Sequence, residues 1–381
     1  MTMTWMKKLT GGLVLAVAIV GGSGSAPAQK ITTFDPTGAG TGPGQGTYAQ
    51  QGLNSGTIVG YYVDANNVAH GFIRSVNGNY TTIDVPGAVG TQAFGINNKG
   101  TVVGWWFEPN NVDSCPSTGI CYHGYLRDKD GNFTYFDVPG AAPYQPPASS
   151  PPLVVIPLPL SINLGGTVTG SYVDGGGMPH CFVRSVDGTI TNLHDPDGGV
   201  SSIGDTNGIN KEGAISGGYN TADGVIHGFV RDPDGTVTTF DGPGAGNIMN
   251  YGSVGESIND AGTIPGVSQD NNGVYHAWIR YSDGTFVPPF DVTGAGTGLL
   301  QGTLALATNL AGDTAGIYYD VNGAGHGFVR SKQGKITKFD VSGQGAGSGQ
   351  GLTATNSINA GGAVVGWYVD SNGTFHGFIY K

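Results

Sequence analysis

Histidine is the residue type whose placement in this chain most strongly suggests chemistry. Seven of the eight histidines are followed by a small residue and then an aromatic residue, and in six of these phrases an arginine stands four positions after the histidine. The seven are His70, His123, His180, His227, His276, His326 and His376. Neutral imidazole is a common metal ligand and general base. Because consecutive members are 47 to 57 residues apart, the pattern indicates a repeat array with one histidine in each unit.

This spacing favours a structural role for the histidines. Side chains in separate units cannot converge on one ion, so we predict no metal site and no cofactor. Each histidine is expected to bond a neighbouring backbone group or to contact an aromatic residue on the preceding strand. The six arginines are expected to pair with a turn aspartate or to stack on an aromatic ring between units.

Four short strands per unit are predicted to position these residues. In the second copy, residues 101–108 and 122–128 are rich in β-branched and aromatic residues, residues 132–140 form a further strand, and residues 91–97 alternate weakly. Four strands in a unit of this length correspond to a propeller blade. Seven asparagines are expected to open the first hairpin of each unit: Asn54, Asn97, Asn163, Asn210, Asn259, Asn309 and Asn359.

The two ends of the repeat array are complementary. Residues 30–38 match the fourth strand of the other units, and the chain reaches Lys381 directly after a third strand. The predicted fold is therefore all-β, a seven-bladed β-propeller over residues 29–381 whose last blade is closed by the N-terminal strand. A straight β-solenoid is the rival arrangement, but it would not explain why the ends are complementary.

The N-terminal segment and the composition bear on location and partners. Residues 1–28 resemble a secretory signal peptide, with Lys7 and Lys8 before a short apolar run and Ala26-Pro27-Ala28 at the cleavage position. We therefore predict a secreted protein, extracellular or periplasmic, with no membrane span, and expect it to be a monomer. A net charge of −11 without a basic cluster argues against nucleic-acid binding.

Cysteines and insertions distinguish one part of the array. Cys115 and Cys121 lie in an insertion at 109–121 and are predicted to form a local disulfide, whereas Cys181 is predicted to be a buried thiol. A second insertion, 141–160, contains an apolar, proline-containing segment. It is expected either to plug the channel mouth or to contact a partner, and both insertions should leave the same face of the propeller.

Carboxylates are predicted to accumulate on that face. The candidate binding residues are those that end second strands, together with one histidine outside the repeat pattern: Asp64, Glu108, Asp174, Asp270, Asp320, Asp370 and His194. A second set ends the fourth strands, and its members are expected to cap their own turns: Asp35, Asp84, Asp137, Asp195, Asp241, Asp291 and Asp340. Such a face would attract cations, amines or a basic partner, or accept hydrogen bonds from sugar hydroxyls.

The repeated phrase also carries a family resemblance. The units resemble those of the HAF family of bacterial extracellular repeat proteins, named for a histidine-alanine-phenylalanine phrase, and His276-Ala277-Trp278 comes nearest to it. The resemblance covers Lys30 to Lys381. It implies export and a repeat fold, and it implies no particular activity.

Two classes of function follow from these observations. The first is a non-enzymatic binding or interaction module for an extracellular ligand, either a glycan or a protein partner. The alternative is a hydrolase or lyase acting on an extracellular glycan or peptide. Because enzymatic propellers need unlike residues from several blades and this sequence repeats like ones, the binding module is favoured over an enzyme, and no catalytic residues are assigned. A purely structural matrix protein is a third possibility.

Overall fold

The structure is a computed structural model that describes residues 30–108, 121–143, 160–176, 178–193 and 203–381. Within these ranges the regular elements are all β-strands, which confirms the all-β prediction. The predicted signal peptide, residues 1–28, lies outside the described residues. Within the described ranges there is also no helix that could serve as a membrane span.

The strands group into sets of four in which neighbours pair antiparallel, and we call these sets units 1 to 7. The chain begins with β1 (Ile31–Phe34), which belongs to unit 7; unit 1 contains β2 (Gly46–Gly52), β3 (Ile58–Val63), β4 (Ala69–Arg74) and β5 (Tyr80–Ile83), and unit 2 contains β6 (Gly90–Ile96), β7 (Val102–Phe107), β8 (Tyr122–Arg127) and β9 (Phe133–Phe136). Unit 3 contains β10 (Leu160–Ile162), β11 (Val168–Val173), β12 (Pro179–Arg184) and β13 (Ile190–Leu193), and unit 4 contains β14 (Ile203–Ile209), β15 (Ile215–Asn220), β16 (Ile226–Arg231) and β17 (Val237–Phe240). Unit 5 contains β18 (Gly252–Gly255), β19 (Ile264–Gln269), β20 (Tyr275–Arg280) and β21 (Phe286–Phe290); unit 6 contains β22 (Gly302–Thr308), β23 (Thr314–Tyr319), β24 (Gly325–Arg330) and β25 (Ile336–Phe339); and unit 7 is completed by β26 (Gly351–Ile358), β27 (Val364–Val369) and β28 (Phe375–Tyr380).

Side-chain packing between strands explains the small residue after each repeat histidine. The residue that ends the fourth strand, aromatic in most units, packs against this position. A Cβ at Gly124 would be 2.2 Å from the ring of Phe136, and one at Gly327 would be 2.4 Å from the ring of Phe339. In unit 3, where Leu193 replaces the aromatic residue, the small residue is Cys181, which is buried as predicted. The histidine phrase is therefore in part a packing requirement of the sheet.

The N-terminal strand completes unit 7. β1 pairs antiparallel with β28, with Ile31 opposite Tyr380 and Phe34 opposite Gly377. The backbone N–H of Lys30 donates to the carbonyl of Lys381 at 3.0 Å. The strand predicted to complement the last unit therefore pairs at the expected place.

Asparagines link consecutive units from unit 2 to unit 7 along one end of the sheets. The side-chain Nδ2 of Asn97 donates to the Asn163 carbonyl, and the same bond recurs from Asn163 to Asn210, Asn210 to Asn259, Asn259 to Asn309 and Asn309 to Asn359, at 2.8 to 3.3 Å. In unit 1 the prediction was wrong by one residue. Leu53 makes the turn hydrogen bonds that the other units make through their asparagine, and Asn54 is the residue after it.

The same kinds of contact cross from unit 7 to unit 1. The Ala360 N–H donates to Asn54 Oδ1 at 2.8 Å, as the Lys211 N–H donates to Asp260 Oδ1 at 3.0 Å between units 4 and 5. In a second kind of contact between units 7 and 1, the Gly52 N–H donates to Ser357 Oγ at 2.9 Å. Its counterpart between units 5 and 6 joins the Thr308 N–H to Ser257 Oγ at 3.2 Å.

First strands line a common central cavity. A cavity of about 330 Å³ is lined by residues of all seven units, including Gln50, Phe94, Ser161, Ile209, Leu306 and Asn356. We call the end of the units that carries the first-to-second and third-to-fourth turns the asparagine end. The opposite end, which carries the other connections, is the histidine end.

Candidate functional site

Each described repeat histidine except His180 pairs with the aspartate that follows the fourth strand of its own unit. The Nδ1 atom lies 2.5 to 3.0 Å from a carboxylate oxygen in the pairs His70–Asp84, His123–Asp137, His227–Asp241, His276–Asp291, His326–Asp340 and His376–Asp35. The prediction that these aspartates cap their own turns is therefore wrong. Asp195, the remaining member of that set, lies outside the described residues.

The sequence contains a signal for this pairing that we did not use. The aspartate follows its histidine by 14 residues in units 1, 2, 4 and 6 and by 15 residues in unit 5. A constant spacing across a hairpin places two side chains side by side. The spacing of the histidines alone, or of the aspartates alone, does not show the strand register that brings the two side chains together. The pairing was missed for that reason.

Carboxylates that end second strands approach the same histidines from the other side. They lie 3.6 to 3.8 Å from the Nε2 atom in the pairs Asp64–His70, Glu108–His123, Asp270–His276, Asp320–His326 and Asp370–His376, and 2.9 Å from it in Asp174–His180. In unit 4 the second strand ends in Asn220 instead. Two carboxylates therefore flank the imidazole in units 1, 2, 5, 6 and 7.

The second-strand aspartates are also turn caps. Asp320 Oδ1 accepts the backbone N–H groups of Asn322 and Ala324 at 2.8 and 2.9 Å. Burial raises the pKa of Asp320, but the hydrogen bonds from Ala324 and Asn322 outweigh it, and the net effect is a lowered pKa. The capping role that the sequence suggested for one set of carboxylates belongs in the structure to the other.

An aromatic ring on the second strand packs against the face of the imidazole in most units. His70 stacks on Tyr62 with ring centroids 5.0 Å apart, and His123 stacks on Trp106 at 4.6 Å. Units 3, 4, 6 and 7 use a tyrosine at the same place, whereas unit 5 has Ser268. The predicted contact with a second-strand aromatic residue is thus confirmed in six units.

The flanking carboxylates favour the charged form of the histidine. The hydrogen bond with Asp84 raises the pKa of His70 although burial opposes it, and the hydrogen bond with Asp35 does the same for the pKa of His376. When its histidine is protonated, a cluster of two carboxylates keeps one net negative charge. The histidine end is therefore acidic, and its imidazoles hold the carboxylates in place.

Exposure separates the two carboxylate sets. Side chains of the fourth-strand set in these pairs are 37 to 77% exposed, and those of the second-strand set are 17 to 34% exposed. The set singled out from the sequence is therefore the less accessible one. The fourth-strand aspartates present an oriented oxygen to solvent and are the better placed acceptors.

Arginines belong to the framework between units. The Arg74 guanidinium lies 4.8 Å from the Phe34 ring centroid, and Arg330 lies 4.8 Å from that of Phe290. Phe34 belongs to unit 7, whereas Phe290 belongs to the preceding unit, as do the rings beneath Arg184 (Phe136) and Arg280 (Phe240). Stacking of these arginines on an aromatic ring between units is confirmed.

Several predicted features lie outside the described residues. His194 and Cys115 are among them, so the binding role of the first and the Cys115–Cys121 disulfide stay predictions. The same holds for most of the two insertions, 109–121 and 141–160. In the described part of the chain, no group of three or more histidine, cysteine or acidic side chains is arranged so that it could hold a metal ion.

Comparisons with known proteins bear on the fold. No protein-family model matches the chain, and no curated protein matches it significantly. Among solved structures, the chain is similar to a prolyl endopeptidase, with a TM-score of 0.52, 11% identity and coverage of 90% of this chain, which spans about half (47%) of the peptidase. It is also similar to the BP39L lectin from Burkholderia pseudomallei, with a TM-score of 0.50, 10% identity and coverage of 87% of this chain and 94% of the lectin. At such identities the likeness concerns the fold alone, an all-β fold of the β-propeller kind.

Proposed function

We propose that this protein is a secreted, non-enzymatic carbohydrate-binding module built on a closed seven-bladed β-propeller. The observation that carries the proposal is the repetition, around one end of the molecule, of an exposed carboxylate held by a histidine. We further propose that residues 1–28 direct export, that the repeats belong to the HAF family, and that the protein is a monomer.

Closure of the propeller is supported by contacts that treat unit 1 as the unit after unit 7. β1 completes the last unit by pairing with β28. Contacts of the kinds that join units 4 to 5 and 5 to 6 also join Ala360 to Asn54 and Ser357 to Gly52. First strands from every unit line one cavity. These are the relations expected of blades around an axis.

Repetition of like groups favours binding over catalysis. Acid–base catalysis requires groups with different protonation tasks around one reacting centre. Here each imidazole is paired with one or two carboxylates of its own unit, and like groups recur from unit to unit. Several equal and weak sites on one face would instead give avidity for a ligand with repeated groups.

Carbohydrate is the ligand class that the exposed groups suit. An ionised carboxylate offers only acceptors, and adjacent hydroxyls of a sugar offer two donors to it. Asp84 and Asp340 are more than half exposed, and the imidazole bonded to one oxygen fixes their orientation. The comparison protein of similar fold, BP39L, is described as a lectin.

The test is a titration of the purified protein against a panel of oligosaccharides and polysaccharides. We expect binding by at least one saccharide, and a loss of affinity of about tenfold or more in the Asp84→Asn/Asp291→Asn/Asp340→Asn variant. The matched control is Asp234→Asn, a turn aspartate at the asparagine end, which should bind normally. If the triple variant binds as the wild type does, the proposed site is wrong. Release of shorter products from the saccharide would support the hydrolase or lyase alternative.

A further inference from the structure

Two neighbouring loops at the histidine end carry exposed apolar tips. Four connections from a fourth strand to the next first strand end in the same hydrogen-bonded turn: residues 42–45, 248–251, 298–301 and 347–350. In two of these turns the tips are Gly-Pro-Gly and Gly-Ser-Gly. In the other two, Ile248 is 46% exposed, Met249 64%, Leu299 63% and Leu300 56%. We call these four residues the apolar tip pair.

Leu300 occupies a position that disfavours leucine. The third residue of each turn has a positive φ: 78° at Gly44, 69° at Asn250, 59° at Leu300 and 73° at Gly349. Turns of this kind favour glycine or asparagine there, because a side chain clashes with its own backbone in the left-handed region. Leu300 is both strained and exposed, so it brings no evident benefit to folding. Its unusual backbone conformation therefore points to a function.

The two tips are connected through Tyr251 and Gly273. The side chain of Leu299 rests on Gly273, where an added Cβ would lie 2.3 Å from Leu299 Cδ1. The same Cβ would lie 3.4 Å from the ring of Tyr251, which directly follows the first tip. The backbone N–H of Asn250 donates to the Gly224 carbonyl, and that of Leu300 donates to the Gly273 carbonyl. These bonds hold each loop against the neighbouring turn. The tips thus belong to one surface that runs over two consecutive units by way of Tyr251.

Aspartates rim this surface. Met249 lies against Gly224, which follows Asp223, and Leu299 lies against the turn capped by Asp270. The hydrogen bond from Thr221 lowers the pKa of Asp223, so this carboxylate is ionised at neutral pH. Asp241 and Asp291, at the start of the two connections, are 60 and 50% exposed. One cation, Lys338, donates to Thr293 in the second connection.

We propose that the apolar tip pair docks an apolar segment of a partner protein whose flanking side chains are basic. Charge complementarity selects this occupant. A second copy of the chain would bring aspartates against aspartates, and an anionic lipid surface would be repelled by the same rim. The carbohydrate test changes three aspartates, and of these only Asp291 lies beside the apolar tip pair. The carbohydrate proposal and the docking proposal can therefore fail independently.

Methyl NMR with three synthetic peptides tests this. The first peptide has two leucines flanked by lysines, the second has glutamates in place of the lysines, and the third has serines in place of the leucines. We expect the first peptide alone to shift the methyl signals of Ile248, Met249, Leu299 and Leu300. The double variant L299S/L300G, which copies the tip formed by Ser348 and Gly349, should weaken binding about tenfold or more.

Controls keep the outcome interpretable. L310S alters an exposed leucine at the asparagine end and should bind the first peptide normally. L300N copies the residue of the neighbouring turn and should leave Tm unchanged or raise it by roughly 1–3 °C. Equal binding of the glutamate peptide, a dimer in sedimentation that the double variant abolishes, or a lower Tm in L300N would each overturn the proposal.

Discussion

The two ends of the units use their polar side chains for different purposes. At the asparagine end, hydrogen bonds run from one unit to the next, as from Asn163 to Asn210, and arginines stack on a ring of the preceding unit, as Arg330 does on Phe290. At the histidine end, the carboxylate–histidine clusters stay within one unit, as in Asp64, His70 and Asp84. The asparagines and arginines therefore join the units, whereas each histidine–carboxylate pair forms within one unit and leaves a carboxylate exposed.

This difference predicts how substitutions divide. Changes to contacts between units should lower stability and leave the chemistry of the histidine end intact. Changes to exposed carboxylates should do the reverse. Each of the following predictions tests one side of that division, beginning with the largest expected effect on stability.

Truncating Phe34 should be the most damaging single change. Its ring packs on Gly377, meets Phe72 edge-on with centroids 6.5 Å apart, and supports Arg74. Phe34→Ala should cost about 3–5 kcal/mol of unfolding free energy, measured by urea denaturation. Thr33→Ala, an exposed position on the same strand, should change it by less than about 0.5 kcal/mol. Equal effects at the two positions would mean that β1 does not close unit 7.

Removing an asparagine of the linking series should come next. Asn210 is buried, donates to the Asn259 carbonyl, and accepts the N–H groups of Gly213 and Ala214. Asn210→Ala should lose about 2 kcal/mol, because buried backbone groups are left without partners. The control is Asn77→Ala in an exposed turn, with an expected change under about 0.5 kcal/mol. Similar losses in both would argue against a special role for the series.

Stability should depend on pH in two opposite ways. The pKa values of His70 and His376 are raised by their aspartates, so their contribution is fully present below about pH 6.5 and is lost as pH rises through the folded-state pKa. The pKa values of Asp64, Asp270 and Asp370 are lowered. Their contribution is present above about pH 4 and is lost as pH falls through the folded-state pKa.

Thermal unfolding across pH 3 to 9 checks this dependence. Tm should be highest between roughly pH 5 and 6.5. His70→Gln/His376→Gln should flatten the decline above pH 6.5 and reduce the acid limb only slightly, because these histidines are the smallest cause of the lowered pKa of Asp64 and Asp370. A decline above pH 6.5 that the double variant retains would show that other groups cause it.

Neutralising an exposed carboxylate should have the smallest effect on stability. The Asp84 side chain is 54% exposed, and exposed ion pairs contribute about 0–1 kcal/mol. Asp84→Asn should therefore unfold within about 1 kcal/mol of wild type while saccharide affinity falls. A large loss of stability would show that the histidine end is part of the framework.

Much of the fold was predictable because the repeat constrains it. The small residue after each histidine, the fourth-strand match at residues 30–38 and the regular turns identified the units and their order. The offset at Asn54 was missed because the sequence places leucine and asparagine side by side, and only the turn hydrogen bonds show that Leu53 opens the hairpin. Local pattern identifies a turn more reliably than its first residue.

The candidate site was less accessible to sequence reasoning. The sequence placed both sets of carboxylates at one end of the units, but it did not show that the fourth-strand aspartates pair with histidines while the second-strand aspartates cap turns. Which aspartate caps a turn and which meets a histidine depends on strand register and on the direction of side chains. The exposed tips at Ile248 and Leu299 were not noticed, because apolar residues in a β-rich sequence ordinarily indicate strands.

The most direct test of the difference between the two ends is hydrogen–deuterium exchange of the protein with and without a saccharide found in the binding panel. We predict slower exchange at the histidine end, in the connections after Asp84 and Asp340, with no change in the asparagine turns at 97–101 and 359–363. Protection confined to those asparagine turns would contradict the account, since it would place the ligand at the asparagine end, away from the exposed carboxylates.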